Sequence, residues 1–363
     1  MKKQIFAAIC SVTMMAGAAA FTPALDLTAD NAIVASAVDM WYETIGFVRY
    51  GVTYTNDINS MADYKIVYAA NQALQPIDVT IPTTVAGKPV TAIGDNIFMN
   101  TNRLKAVSVP NGIATIGDNF LRNSTVTNIN FNGNLYVIGD DCFRDTTSLK
   151  NVNIPSMTHT IGNNFCYHAT GLQTINFGTA VQTVGSSCCE GCTSLKTANL
   201  NSNLEYLGDY AFYGCSAMTA FNCPSTHLGE GWTGPDIGGG ILWANKWADD
   251  RLSNPNTTDL IFGSGTFLYR YVKKLTANTN ITYTNVKYVY DYAFGGDAWT
   301  YGNKVRKVYL PAAERIGHYA FKKCPYATVY LSPSKMRATY GSNYRQIVEQ
   351  RCAPATVNWN YYT

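Results

Sequence analysis

The sequence predicts a β-rich solenoid, a pile of short units whose strands stack in parallel. Three observations predict it. A glycine-centred segment recurs at near-constant spacing, an alternating apolar segment runs in phase with it, and each unit is too short to bury a core of its own, so that stability has to come from neighbours. The chain has 363 residues, 47% of them hydrophobic and only 14% charged. That composition describes a folded protein. Its formal charge of +3 includes Lys2 and Lys3. The near-neutral remainder offers no electrostatic case for nucleic acid or an anionic membrane.

The glycine segment reads Ile93-Gly94-Asp95-Asn96-Ile97-Phe98 and returns as Ile116-Gly117-Asp118-Asn119-Phe120-Leu121. It returns again at Ile138-Gly139, Ile161-Gly162, Val184-Gly185 and Leu207-Gly208, with glycine spacings of 23, 22, 23, 23 and 23 residues. Tyr290-Asp291-Tyr292-Ala293-Phe294 and Ile316-Gly317-His318-Tyr319-Ala320-Phe321 are later copies. Glycine suits a backbone position that a side chain would obstruct. The second segment starts at Leu104, Val126, Leu149, Leu172, Leu195 and Met218, with apolar residues at its first, fourth and sixth positions. Its last positions alternate with polar neighbours, the period of a half-buried strand. Stacking such units at ~4.8 Å places each apolar column on the one below.

These units resemble the BspA-like leucine-rich repeats of bacterial surface and secreted proteins. The family's pattern I-G-x-x-A-F-x-x-C-x-x-L-x-x-v-x-i-P is followed nearly throughout by Leu207 to Pro224, and Ile81 to Val90 is similar to the usual entry into a first repeat. The likeness covers about residues 78–224 and 283–333. It implies a curved, right-handed leucine-rich-repeat solenoid with a parallel concave sheet, and a role in adhesion or surface recognition.

Around the repeats the chain divides as follows. Residues 1–37 read as a signal peptide and leader: Lys2-Lys3, an apolar run from Ile5, then Ala18-Ala19-Ala20, with cleavage after about residue 20 or 37. The run is short for a bilayer span, and no membrane span is expected in the mature chain. Residues 38–92 should form an N-terminal β cap leading into the first repeat, and 93–224 the main solenoid. Residues 225–282 are an insertion, with a short helix at Ile241 to Leu252 and a hairpin around Gly263-Ser264-Gly265-Thr266. Residues 283–333 hold further repeats, and 334–363 a C-terminal cap that is helical over 334–351. Caps are required because a bare solenoid end exposes apolar surface and strand edges.

Candidate ligand-binding residues come from two places. Asn130, Asn153, Asn176, Asn199 and Asn222 share one strand position, with Ser108 a unit earlier. They lie between the two buried positions and so point outward; with Ala106, Asn128, Asn151, Thr174, Thr197 and Ala220 beside them they should make a flat, polar, uncharged face of six strands. Amides offer donors and acceptors suited to peptide backbone or sugar hydroxyls. Stacked amides also bond one another, which would stabilise the ladder without any ligand. Trp232, Trp243 and Trp247 cluster in the insertion. Exposed, they would stack on sugars or anchor a protein; buried, they are the insertion's own small core.

The remaining chemistry is sparse. Cys192, Cys215 and Cys324 occupy the repeat's cysteine position, while Cys142, Cys166, Cys188 and Cys189 replace Ala or Phe at buried positions, so the expectation is stacked structural thiols. Disulfides, or a metal or redox role for Cys189-Glu190-Gly191-Cys192, are the alternatives. Asp95, Asp118, Asp140 and Asp209 follow the repeat glycine, and turn chemistry, with the carboxylate bonding an amide two residues on, is the expected role; calcium binding is the alternative. His318 falls at the same position and reads as a solvated turn residue. No H-E-x-x-H, G-x-S-x-G, phosphate loop or dinucleotide fingerprint occurs, and no cofactor or metal is expected. The function expected is recognition of an extracellular protein or glycan by a secreted or surface-held monomer. The rivals are a carbohydrate-attachment module aiding polysaccharide use, an enzyme hidden in the insertion, and a purely structural surface protein.

Overall fold

The computed structural model describes residues 19–21, 40–54, 64–71, 75–225, 259–262, 267–271, 275–294 and 301–360, with isolated positions such as Ile241, Leu242, Asn245 and Ala248 between them. It is a β-solenoid of about nine stacked turns with parallel sheets and little helix. The isoleucine-glycine segments form one sheet: Lys88–Ile93, Thr115–Ile116, Val137–Ile138, Thr160–Ile161, Thr183–Val184 and Tyr206–Leu207 run in parallel. Ile93, Ile116, Ile138, Ile161, Val184 and Leu207 stand in register along it. All six are buried, as are Leu104, Val107 and Val109 and their counterparts in each later unit through Met218, Phe221 and Cys223, except Phe131, which is half-buried.

At the N-terminal end Met40–Ile45, Val48–Tyr54 and Tyr64–Asn71 form an antiparallel meander. The last of these pairs in parallel with Lys88–Ile93, so the meander covers the edge that the first rung would expose. Tyr50 packs edge-on against Phe98 of that rung. Ala19–Phe21 adds a strand beside Met40–Tyr42; the rest of the expected leader lies outside the described residues.

The far end is closed differently. Helices Pro333–Tyr340 and Tyr344–Cys352 lie over the last rung. The Tyr340 hydroxyl accepts the Ile316 N–H (2.7 Å) and donates to the Ile316 carbonyl (3.0 Å), and Arg351 donates to the same carbonyl (2.9 Å). Two side chains thus supply the bonds that another strand would have made.

Residues 225–282 do more than interrupt the array. Asp259–Phe262 and Phe267–Tyr271 form an antiparallel hairpin, and Phe267–Tyr271 also pairs in parallel with Tyr288–Val289. Leu268, Val289 and Ile316 stand in register with one another, forming a second such column in a separate sheet. The Ile241 carbonyl accepts the Phe212 N–H, where each earlier rung uses the rung above it.

Two details explain the glycine motif. A Cβ on Gly162 would lie 2.3 Å from Asp140 Oδ1 and 2.5 Å from the Gly139 carbonyl carbon; Gly117, Gly139, Gly185, Gly208 and Gly317 are as tightly placed. These glycines are required by the approach of one rung to the next. The residue two places on has positive φ in every rung: Asn96, Asn119, Asp141, Asn164, Ser187, Tyr210, Tyr292 and Tyr319. This turns its N–H along the stack, so Asn119 donates to the Asp140 carbonyl and Asn164 to that of Ser186, each at 2.8 Å.

The aspartates after the glycines work across rungs, which corrects the expectation of a local turn bond. Asp95 Oδ1 accepts the Asp118 N–H (3.0 Å), Asp118 that of Asp140 (2.8 Å), and Asp140 that of Asn163 (2.6 Å). The positive-φ residue aims the local amides away, and the nearest free donor is the equivalent residue one rung on.

Replacing Gly162 with alanine should force backbone from backbone and cost about 1–3 kcal/mol or more. Chemical denaturation would measure it, and a change below ~0.5 kcal/mol would contradict the close approach.

Candidate recognition surface

The outward face of the longer strands carries the asparagine column. Among Asn151–Asn153, Thr174–Asn176, Thr197–Asn199 and Ala220–Asn222 the middle residue of each strand is buried and the asparagine points to solvent. The strands pair in parallel with Asn153, Asn176, Asn199 and Asn222 in register. Asn176 donates to Asn153 and Asn199 to Asn176, each at 2.6 Å, and Asn222 continues the chain to Asn199. Every amide in the run points the same way. Each has two N–H donors and two acceptor lone pairs, and the ladder uses at most one of each. One donor and one lone pair of each amide remain outside the ladder.

The six-strand face expected from the sequence is divided. Ile77–Thr80, Leu104–Val109 and Asn128–Phe131 form one sheet, and the four strands from Asn151 to Asn222 another. Asn130 therefore leaves the ladder of the other four, and its amide lies 3.5 Å from the Ser108 hydroxyl. The one turn that is a residue shorter, nine residues from Gly117 to Val126 against ten from Gly139 to Leu149, lies between two strands that do pair, so the break falls one rung later. The strand after that turn registers on the rung before it. Ser124, within the shortened turn, is buried with its hydroxyl unpartnered.

In the second stack the same strand position carries tyrosine, half-buried at Tyr309 and buried at Tyr330. Thr282, Tyr309, Tyr330 and Asn358 share register across Thr279–Thr282, Val305–Leu310, Thr328–Leu331 and Thr356–Asn358. The rings of Tyr309 and Tyr330 stack at 4.5 Å with 16° between their planes, and the Lys307 ammonium lies 6.0 Å from the Tyr330 ring. These residues were legible: Val308-Tyr309-Leu310 and Val329-Tyr330-Leu331 repeat the alternation that picks out the asparagines. Tyr326, 66% exposed, has the Arg306 guanidinium 5.5 Å from its ring. Trp232, Trp243 and Trp247 lie outside the described residues. Beside them Ile241, Leu242, Asn245 and Ala248 are buried.

The described cysteines are free and buried. Those at the repeat's cysteine position bridge rungs. Cys192 donates to the Cys166 carbonyl (3.0 Å), Cys215 to that of Cys189 (3.2 Å) and Cys324 to that of Phe294 (3.5 Å). Alanine would fill the space but leave the carbonyl without this donor. Burial pushes the Cys166 thiol up to about 11 and the Cys324 thiol up to about 12, and it holds Cys142, Cys189 and Cys215 high as well. Thiols held protonated in an apolar interior are poor nucleophiles. Among the described residues no group of three or more His, Cys, Asp or Glu could hold a metal ion.

The protein is thus a stacked-repeat solenoid whose accessible chemistry lies on its sheet faces and turns. Residues 77–196 match the BspA type leucine rich repeat region in six copies, and this repeat region belongs to that family. No curated protein matches the chain. Similar solved structures include the leucine rich repeat protein of T. pallidum, 22% identical, covering 55% of this chain and 87% of that one with a TM-score of 0.46. The pneumococcal vaccine antigen PcpA is 16% identical, covering 79% and 69%, with a TM-score of 0.45. A leucine-rich repeat protein of Bacteroides ovatus is 17% identical, covering 88% of each chain, with a TM-score of 0.43.

Two measurements check this geometry. Asn176 makes two ladder bonds and Asn153 one, so Asn176→Ala should destabilise by about 0.5–1.5 kcal/mol more than Asn153→Ala; equal losses in urea denaturation would dissolve the ladder. The buried thiols have folded pKa values above the unfolded value of about 8.5. Their contribution is complete below that pH and is lost as pH rises towards the folded values. The melting temperature should fall progressively from about pH 8.5 upward, and a flat profile to pH 10 would contradict protonated burial.

Proposed function

We propose that this protein is an extracellular recognition or adhesion protein, secreted or held at a cell surface, that binds a protein or glycan through its outward sheet face and the neighbouring insertion. The observation that carries the reading is the amide ladder. Four in-register asparagines are held rigid by one another, carry no charge, and keep donors and acceptors outside the ladder at the strand repeat of ~4.8 Å. A preorganised polar array binds with little ordering cost. Peptide backbone and sugar hydroxyls both present the donors and acceptors it needs. The leucine-rich repeat assignment is consistent with a recognition role. Export is supported by the leader-like residues 1–37, and no helix among the described residues is long and apolar enough to cross a membrane. Binding is favoured over catalysis because the strongest nucleophiles described, the thiols, are buried and held protonated. Trp232, Trp243 and Trp247 are proposed as aromatic anchors beside the sheet.

The mature chain should bind in a screen of glycans, matrix proteins and cell surfaces. Changing Asn153, Asn176 and Asn199 together to alanine should weaken that binding about tenfold or more, with the circular dichroism spectrum retained; each lost hydrogen bond is worth about 0.5–1.5 kcal/mol. A parallel Trp243→Ala, Trp247→Ala variant reports on the insertion. Binding to nothing in the screen, or binding unmoved by both variants, rejects the reading.

A further inference from the structure

We propose a separate ligand site at the C-terminal end of the stack, where the last turn and the last helix enclose a cleft for a carboxylate-bearing sugar unit. His318, Tyr319, Ile347, Gln350 and Arg351 line a space of about 130 Å³. That is slightly less than the roughly 150 Å³ that holds benzene, so a sugar ring would enter by one edge only.

The site follows from how the array ends. In earlier rungs the positive-φ residue donates its N–H to the rung above, as Asn96, Asn119, Asp141, Asn164, Ser187 and Tyr292 do. Helix Tyr344–Cys352 replaces the missing rung only in part. The Arg351 carbonyl accepts the Ala320 N–H and the Arg351 guanidinium caps Ile316. Tyr319 has the same backbone conformation, with φ of 53°, and no described residue accepts its N–H. A fixed backbone donor is therefore left facing the cleft.

The surrounding groups narrow the ligand. The Tyr319 ring is 53% exposed and stacks on Tyr292 at 5.5 Å with 27° between planes, giving a braced aromatic plate of the kind that sugar rings pack against. The Lys322 ammonium is 5.9 Å from the Tyr319 ring and 5.3 Å from that of Tyr292. Arg351, buried with its guanidinium on the Ile316 carbonyl, supplies a second positive charge beneath the cleft, while Asp291, whose Oδ1 accepts the His318 backbone N–H at 2.6 Å, offsets part of this charge. Gln350 is exposed at the rim with an amide for hydroxyls. A plate, an N–H and a net positive rim select a ring that carries an anionic acceptor. Neutral sugars lack the charge, and small aliphatic carboxylates lack the ring.

The test is titration of the full chain with sodium glucuronate, glucose and acetate, followed by calorimetry and by saturation transfer from the tyrosine rings. Glucuronate should bind at least about tenfold more tightly than either of the others, since it alone offers both a ring and an anionic acceptor. Tyr319→Ala should abolish the saturation transfer and weaken binding about fivefold or more. If that variant fails to fold, Gln350→Ala, on the exposed face of a helix, should weaken binding while leaving the melting temperature unchanged. Asn176→Ala should leave glucuronate binding intact, which separates this site from the sheet face. Glucose binding as tight as glucuronate and lost with Tyr319→Ala, glucuronate binding unaltered by Tyr319→Ala and Gln350→Ala, a short peptide carboxylate competing equally, or no binding by any of the three would each overturn the assignment.

Discussion

The structure depends on how closely one rung can approach the next at the glycine column. At Gly117, Gly139, Gly162, Gly185, Gly208 and Gly317 the space for a side chain is already occupied by the aspartate or backbone of the rung below. That approach brings three kinds of polar group into range at once. Strand amides bond between isoleucine segments, positive-φ residues donate upward from the turns, and aspartate side chains accept across rungs. A larger separation would weaken all three together, because each is a hydrogen bond near its optimal length and weakens with distance. The closeness is also what aligns the outward asparagines well enough to bond one another.

The interior satisfies the same spacing by exchanging volume between neighbouring positions. Phe120 precedes Leu121, but in the next rung Cys142 precedes Phe143, and then Phe165 precedes Cys166. All six are buried. The large ring alternates between two adjacent columns, so that Phe143 and Phe165 meet edge to face at 5.1 Å and need not compete for one place. The pair Cys188-Cys189 has no ring, and the space is shared by thiols from three rungs, Cys166, Cys188, Cys189, Cys192 and Cys215. Sulfur suits this setting because it is compact and polarisable, and its S–H can close a carbonyl between rungs.

Much of this order was legible in the sequence because it is periodic. The spacing of Gly94 to Gly208 fixes the rung, and the alternation in segments such as Leu149 to Ile154 fixes which residues face inward; both survive in the structure. Three features were not legible, each for a physical reason. The split of the outward face between Asn130 and Asn153 could not be read from spacing, since the two lie 23 residues apart, as do the paired Asn153 and Asn176. The reach of Asp118 to the next rung could not be read from local turn chemistry, since its partner lies 22 residues on. Phe267–Tyr271 lacks the glycine motif, so only its pairing with Tyr288–Val289 shows that it belongs to the array. The Tyr309 and Tyr330 pair, by contrast, obeyed the same alternation as the asparagines and was there to be found.

Both ends of a solenoid face the same problem, and this one solves it asymmetrically. The N-terminal meander continues the hydrogen-bonded sheet, with Ile66 paired to Ile93 as a further rung would be. The C-terminal helices meet only selected groups, Ile316 through Tyr340 and Arg351, and Ala320 through the Arg351 carbonyl. A helix rises 1.5 Å per residue, whereas a strand presents polar groups at about twice that interval, so a helix laid across a rung cannot match every donor and acceptor beneath it. Some backbone group must be left over at such a junction. Here it is the Tyr319 N–H, beside an exposed ring and positive charge. Incomplete capping by a helix thus leaves backbone polarity available to a ligand at this end of the stack.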